Sequence, residues 1–441
     1  MLSDPIAALA TPPGRSAIAL VRLSGDGAFD IAAKVVPDFR VAPRVAQLAS
    51  FVAVDGAVID RGLYTVFPGP ASYTGEDSVE FSCHGGLLVP VRLLEALHAA
   101  GARPAAPGEF TRRAVLNGRL DLLQAEAVGD LIDATAPAQA RHALGQLEGN
   151  LSARIADLRS GLVELQALLS YEIDFPDEDD GPVSPERIAA ARSEVAGRID
   201  ALLASAPVGE RLREGGLVVL AGRPNTGKSS LFNALLGSER ALVTEIAGTT
   251  RDAIEAHTSF LGWPVRLVDT AGLRDTDDRI ERMGVETSRR WLDAADLVLH
   301  CVDDDECDES AGNGSLPSGR TLPLRTKSDL AASPPRSGIP VSSVTGEGLD
   351  AVRRAVAERL FGARVALADI EPALTRARHR EALARARMEL EEARPHFEPG
   401  GDAVLASHHV RLATLALDEL VGVVDIEDVL DRVFAAFCVG K

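Results

Sequence analysis

Gly222-Arg223-Pro224-Asn225-Thr226-Gly227-Lys228-Ser229 is the stretch whose reading decides the fold. It satisfies G-x-x-x-x-G-K-[ST], with an apolar strand-like run from Leu217 to Ala221 before it and a helix-like run from Ser230 to Leu236 after it. Glycines let the backbone turn tightly so that successive N–H groups face an anion, and the following helix adds its N-terminal partial charge. In such a cradle Asn225, Thr226, Gly227 and Ser230 line the phosphates, Lys228 reaches the β- and γ-phosphates, and Ser229 ligates Mg²⁺. Eight residues can match by chance, so the neighbours decide.

Downstream, Thr244-Glu245-Ile246-Ala247-Gly248-Thr249-Thr250-Arg251-Asp252 places two threonines at a loop tip, where one hydroxyl can join Mg²⁺ when the γ-phosphate is present. A strand-like run from Val265 to Val268 ends in Asp269-Thr270-Ala271-Gly272; Asp269 suits the Mg²⁺ water shell and the Gly272 N–H the γ-phosphate. Three phosphate elements in correct order, each at a strand end, define a nucleoside-triphosphate hydrolase with a conformational switch. The base-reading signature Asn-Lys-x-Asp takes the form Thr326-Lys327-Ser328-Asp329. Asp329 accepts from the N1/N2 edge of guanine, a donor pair adenine lacks, and Lys327 lays its stem over the ring. Thr326 stands for the usual asparagine and has one donor, from which weaker guanine affinity is expected. Ser342-Ser343-Val344 takes the place of the last base loop. Leu273 stands where many small switch proteins carry a water-orienting glutamine, and spacing leaves Asp275, Asp277, Asp278 and Glu281 as candidates for that task.

The chain has 441 residues, enough for two to four domains, and 46% hydrophobic content, enough for real cores. A net charge of −19 argues against indiscriminate coating of nucleic acid, although not against a local basic patch for a folded RNA. Cys83, Cys301, Cys307 and Cys438 have neither metal-ligand nor disulfide-framework spacing, which points to a reducing cytoplasm. The start, MLSDPIAALATPPGR, lacks the pattern of a secretory leader, and no run is long enough for a membrane span.

Residues 1–118 read as a mixed α/β domain, with strand-like runs Ser16 to Leu23, Val45 to Val54, Gly62 to Phe67 and Val79 to Cys83, and a helix from Leu87 to Ala99. His84 is expected as a hydrogen-bonded turn residue, with ligand binding as the alternative, and Cys83 as a small buried hydrophobe. Arg112, Arg113 and Arg119 form a candidate anion-binding cluster or a solvated helix start. Leu and Ile at 144, 147, 151, 155, 158, 162, 165 and 169 alternate gaps of three and four, predicting one helix from Arg141 to Leu169, ~40 Å long. The acidic EIDFPDEDDGPVSPE reads as a solvated turn and Pro185 to Ala204 as a second helix. Further helices are expected over Ile370 to Arg394, Asp402 to Leu420 and Ile426 to Phe437. Asp303 to Glu309, with the Gly/Ser-rich text that follows, reads as a solvent-facing insertion. Helical segments at 119–211 and 365–441 thus flank a nucleotide domain at 212–364, and the simplest packing makes them one bundle with that domain inserted. The aromatic Phe434 and Phe437 before Cys438-Val439-Gly440-Lys441 suggest a docked tail.

Over its whole length the chain resembles the MnmE (TrmE) family of tRNA-modification GTPases, on TPPGRSAIALVRLSG, YTGEDSVEFSCHGG, PGEFTRRAVLNGRLDLLQAEAVGDLI, GRPNTGKSSLFN, TEIAGTTRD, DTAGLRDTDDRIERMG and FCVGK. The resemblance implies an N-terminal tetrahydrofolate-binding and dimerising domain, a helical domain, and a Ras-like G domain inserted within it. It implies GTP hydrolysis stimulated by K⁺-dependent dimerisation of G domains, with Asn225, Thr244, Ile246 and Thr249 around the K⁺ and Ser229 and Thr250 on Mg²⁺. By the same resemblance Glu281 orients the attacking water, and Arg22, Glu80, Arg119 and Lys441 bind a folate such as 5,10-methylenetetrahydrofolate. Cys438 is tied to the modification chemistry. The implied partners are an MnmG-like FAD protein, forming a heterotetramer with the homodimer, and tRNA, whose wobble uridine receives an aminomethyl or carboxymethylaminomethyl group at carbon 5. The alternative is a regulatory GTP switch on an RNA or ribosomal partner without one-carbon chemistry; the N-terminal domain and FCVGK weigh against it. Thr326, Ser343 and the insertion at 303–320 depart from the family pattern.

Overall fold

The computed structural model describes residues 4–174, 184–237, 254–269, 289–302, 319–330, 338–362, 373–397, 401–422, 437 and 440. These form two compact units, residues 1–129 with 418–441, and residues 130–417.

In the first unit, β1 (Ile6–Leu9), β2 (Ile18–Ser24), α1 (Ala28–Val35), β3 (Gln47–Val52), β4 (Val58–Phe67), β5 (Ser78–His84), α2 (Val89–Ala100), β6 (Arg103–Pro104) and α3 (Glu109–Leu116) follow one another. The sheet order is β3-β4-β5-β2-β1-β6, antiparallel except for the β1–β6 pair. Strand alternation sends Val21, Leu23, Phe51, Tyr64, Val66, Val79 and Phe81 to one face, where they pack with Ile31, Leu93 and Leu97 of α1 and α2. The other face keeps Ile18, Leu48 and Leu63 exposed, at 62%, 61% and 42%. Cys83 is buried as expected, and burial pushes its thiol up to about 11. His84 also follows the simpler expectation: its N–H and Nδ1 both bind the Asp60 carboxylate at 2.8 Å.

The arginine cluster is divided. Arg113 is 1% exposed and spent on Glu76, Glu109 and Asp4, with contacts of 3.2, 2.9 and 3.2 Å. Burial raises the pKa of Glu109, but hydrogen bonds from Arg103, the Ala106 N–H and Arg113 outweigh it and hold the carboxyl at about 2. A depressed carboxylate stabilises the fold above its unfolded pKa and loses that contribution as pH falls through its folded pKa. Denaturant titrations should therefore find wild type and Glu109→Gln farthest apart near neutrality, by on the order of 3 kcal/mol, and converging between pH ~5 and ~2. A gap independent of pH would contradict this.

α4 (Leu122–Ile132) is followed by α5 (Pro137–Leu147), α6 (Asn150–Asp174) and α7 (Pro185–Glu214). The single helix expected over Arg141 to Leu169 is thus two. Gly149, at φ 92, breaks the ladder in a conformation glycine tolerates. The four-residue gap from Leu147 to Leu151 spans the break, so the periodicity does not reveal it. Leu151, Ile155, Leu158, Leu162, Leu165 and Leu169 are all buried, whereas Leu144, before the break, is 46% exposed. α7 runs ten residues past the expected Ala204 and accommodates Pro207, because Ile199, Leu202, Ala206 and Leu212 keep its apolar face buried.

The nucleotide portion contains β7 (Gly216–Ala221), α8 (Lys228–Leu236), β8 (Ile254–Phe260), β9 (Trp263–Asp269), β10 (Leu297–Val302), β11 (Thr321–Arg325), β12 (Ile339–Pro340) and α9 (Leu349–Phe361). Its sheet order is β12-β11-β10-β7-β9-β8, with only β8 antiparallel to its neighbour. Val218, Leu220, Leu267, Leu299 and Leu324 pack against Leu231 and Leu235 of α8 and Val352, Val356 and Leu360 of α9. The opposite face of the sheet meets Trp291, Leu292 and Ala295. Sequence reading missed β8, whose Glu255, His257, Thr258 and Ser259 hide its pairing; as an edge strand it needs few apolar residues. α10 (Ala377–Glu392) and α11 (Ala403–Val421) are the last α-helices among the described residues, and Arg387 of α10 binds Asp200 of α7 at 2.9 Å. The helix expected over Ile426 to Phe437 lies, but for Phe437, outside them. No helix among the described residues is long and apolar enough to cross a membrane.

Candidate nucleotide and N-terminal ligand sites

The phosphate loop leaves the carboxyl end of β7 and enters α8. Three conformations make the cradle: Gly222 at φ 146, Asn225 at φ 64 and Gly227 at φ 84. Gly222 is required by close approach, since a Cβ there would lie 2.3 Å from the carbonyl oxygen of Cys301 on β10. Lys228, 7% exposed, folds back so that Nζ donates to the carbonyls of Gly222 at 3.0 Å and Arg223 at 2.7 Å. The Thr226 hydroxyl donates to Arg223 O at 2.9 Å, while Asn225, Ser229 and Ser230 stay exposed.

Asp269 is 2% exposed at the end of β9, paired in register with Leu220 just before the loop. After β11, Lys327 takes a positive φ of 57, and Ser328–Leu330 form a single 3₁₀ turn that presents Asp329 to solvent. The Ser328 N–H donates to Val341 O at 3.3 Å, joining this loop to Ser342 and Ser343. Ser342 is fully buried; its hydroxyl accepts the N–H groups of Val344 and Thr345, both at 3.2 Å, which shapes the last loop from within. Every described member of the expected nucleotide set therefore gathers at one edge of one sheet, at the carboxyl ends of its parallel strands. Oxygen donors at Ser229 and Asp269 suit a hard cation such as Mg²⁺.

In the first unit, Arg22 and Glu80 face each other across β2 and β5, with contacts of 3.1 and 2.8 Å from the guanidinium to one carboxylate oxygen. The guanidinium lies 5.2 Å from the Tyr73 ring centroid and 5.6 Å from that of Phe110. Arg119 is exposed and its side chain lies over Gly75, two residues from Tyr73, so both arginines border one loop. Neither aromatic was identified from sequence, because strand and helix spacing does not say which ring will meet a strand arginine. At the tail, the Phe437 ring packs on Gly129, and the Gly440 backbone lies against Leu9 and Ala10. That much of the expected docked tail is present.

A profile described as "GTP-binding protein TrmE N-terminus" matches residues 5–119, and one described as "MnmE helical domain" matches residues 122–438. A tRNA modification GTPase MnmE of Thermus thermophilus is 47% identical over 450 residues, covering 100% of both chains. The chain belongs to the MnmE family. The tRNA modification GTPase MnmE of Phenylobacterium zucineum is 44% identical over 455 residues, again covering 100% of both. Among solved structures, the G domain of the T. maritima FeoB iron transporter is 28% identical over 33% of this chain and 98% of that one; its TM-score of 0.26 adds nothing to the assignment. As an MnmE-family protein this chain is a GTP hydrolase, and its fold is the expected one: a mixed α/β N-terminal domain, helices and a Ras-like phosphate-loop domain.

Several expected site residues lie outside the described residues: Thr244 to Thr250, Thr270, Ala271, Gly272, Glu281, Cys438 and Lys441, with the 303–318 insertion. Thr326 has a task that its place in the base signature does not reveal. It is 4% exposed, and its hydroxyl lies 2.6 Å from the carbonyl of Thr226 and 3.1 Å from that of Val302, tying the base loop to the phosphate loop. Thr326→Val would leave a carbonyl of the phosphate loop unpaired, at a cost of about 1–2 kcal/mol. Calorimetry should find guanosine and inosine nucleotides weakened alike, by roughly tenfold. Asp329→Asn should instead reduce the preference of guanosine over inosine. A Thr326→Val loss confined to guanosine would return this residue to base reading.

Proposed function

We propose that this chain is a K⁺-stimulated GTPase that works in the cytoplasm, as a homodimer, with an MnmG-like flavoprotein. The complex adds an aminomethyl or carboxymethylaminomethyl group to carbon 5 of the tRNA wobble uridine, with the one-carbon unit from a folate. The observation that carries this reading is a phosphate loop and guanine loop on one sheet edge in a chain matched end to end by tRNA-modification GTPases.

In this mechanism Asp329 accepts from guanine N1 and N2, and Lys327 covers the ring. The loop N–H groups and Lys228 hold the β- and γ-phosphates. Ser229 and Thr250 would hold Mg²⁺, and Asn225, Thr244, Ile246 and Thr249 would hold K⁺; these ions supply positive charge where the transition state gathers negative charge. Glu281 orients the attacking water, through a second water where needed. Folate recognition falls to Arg22, Glu80, Arg119 and Lys441. The Arg22–Glu80 pair beside Tyr73, and the tail at Gly440 beside β1 in the same unit, support that assignment. The exposed Ile18, Leu48 and Leu63 on one sheet face support dimerisation through the N-terminal domain.

The test compares GTP turnover in K⁺ and Na⁺ at equal ionic strength, with Glu281→Ala alongside. Turnover should be faster in K⁺, and Glu281→Ala should bind nucleotide with little turnover. Equal rates in the two salts would remove the potassium mechanism. Folate binding lost on changing Arg119 and Glu80 together separates this reading from a GTP switch without one-carbon chemistry.

A further inference from the structure

The β8–β9 hairpin joins the two segments that the sequence assigns to nucleotide sensing. β8 follows the Thr244–Asp252 stretch, and β9 runs directly into Asp269-Thr270-Ala271-Gly272. Its pairing is continuous from Ile254↔Asp269 to Phe260↔Trp263. It closes through two residues, Leu261 at φ 54 and Gly262 at φ 84, the left-handed pair of a type I′ turn. The result is a stiff rod roughly 20 Å long. β8 is an edge strand, joined to the sheet through β9.

The far end of the rod does not end in solvent. The carbonyl of Gly262 accepts the N–H of Ala138 at 3.0 Å. Ala138 is the second residue of α5, after Pro137, and its N–H is one of the donors a helix start leaves without an intrahelical acceptor. The neighbouring donors are met locally, since Gln139 Oε1 accepts from the N–H groups of Thr135 and Ala136 at 2.9 and 3.0 Å. Ala138 is fully buried in the same core as Trp263, and the Trp263 ring stacks on Phe361 with centroids 4.6 Å apart.

α5 in turn grips the segment leading into α10. His142 Nε2 accepts the Ala373 N–H at 3.3 Å, and Gln146 Nε2 donates to Ala373 O at 3.4 Å. Both side chains are buried. The next N–H, of Leu374, donates to Ser205 of α7 at 3.2 Å. A shift of the turn along the hairpin axis therefore loads α5 at its first turn and reaches the Ala373–Leu374 backbone.

We propose that the β8–β9 hairpin is the output lever of the GTPase. On the nucleotide reading proposed above, its base follows the occupancy of the γ-phosphate, and its turn transmits that state to the helical portion through Gly262–Ala138 and α5. Gly262 and Ala138 meet at the opposite end of the hairpin from Asp269, so hydrolysis and transmission are separable.

Hydrogen exchange of the full chain, loaded with GDP or with a non-hydrolysable GTP analogue, tests this. Exchange at the Ala138 and Ala373 amides should differ between the two nucleotides. Inserting two glycines between Leu261 and Gly262 should abolish that difference while GTP turnover stays at the wild-type rate. Should the insertion fail to fold, Gly262→Val, which opposes the positive φ of the turn, serves in its place. Exchange at Ala138 that is the same in both nucleotides in the wild type overturns the proposal, whatever the variants do. A nucleotide-dependent difference that survives loss of the turn overturns it as well.

Discussion

Lys228→Ala is expected to lower the turnover of bound GTP by on the order of 10³ while leaving the fold intact. The ammonium group is a positive charge that the first residue of α8 carries into the cradle. Its hydrogen bonds to the carbonyls of Gly222 and Arg223 hold it over the loop rather than out in solvent. Negative charge that builds between the β- and γ-phosphates then meets a donor already in position, with little reorganisation to make. Removing the amine costs the fold far less. The loop carbonyls lose one donor beside exposed Asn225 and Ser229, where water can replace it, so about 1 kcal/mol is at stake. Single-turnover hydrolysis at saturating nucleotide, with a thermal melt alongside, separates the two effects. A variant that keeps the wild-type rate constant would remove Lys228 from the transition state.

Gly222→Ala should act the other way, through structure first. At φ 146 an alanine is strained, and its Cβ would sit 2.3 Å from Cys301 O and 3.1 Å from the Thr226 hydroxyl. The first contact is with a backbone atom in a parallel ladder, where Ala221 pairs with His300, so no side chain can swing aside. Either the β7–β10 spacing opens or the loop leaves its cradle. More than about 3 kcal/mol is expected, with nucleotide binding lost and a melting temperature lower by roughly 10 °C. Gly197→Ala is the control. It lies within α7 with nothing inside 4 Å of the added Cβ, and should be neutral or slightly stabilising. Equal melts for the two variants would refute the steric account.

Much of the nucleotide site was legible because its chemistry sits in short contiguous motifs. The phosphate loop needs glycine where φ is positive and a lysine at the helix start, and those needs fall within eight consecutive residues. Asp269 and Thr326 to Asp329 were legible for the same reason, each closing a recognisable strand. The break between α5 and α6 was not, because one glycine at the right phase leaves a 3.6-residue pattern undisturbed. β8 was missed because an edge strand can be polar and still pair along its length.

The buried role of Arg113 shows a different limit. Three arginines close in sequence suggested an anion site, yet the partners that occupy Arg113 come from residues 4, 76 and 109. Thr326 is similar: its place in a base-reading motif suggested contact with guanine, whereas its hydroxyl bonds to a residue a hundred positions away.

By itself the sequence determined the phosphate, switch and base motifs, the apolar periodicities and the family, since each depends on residue types at local spacing. Only the tertiary structure decided which arginine is consumed by buried carboxylates, which hydroxyl braces the phosphate loop, and where the β8–β9 turn rests. Those outcomes depend on which donor meets which acceptor across long separations. A buried polar group must find a partner, but nothing in its own neighbourhood of the chain specifies which.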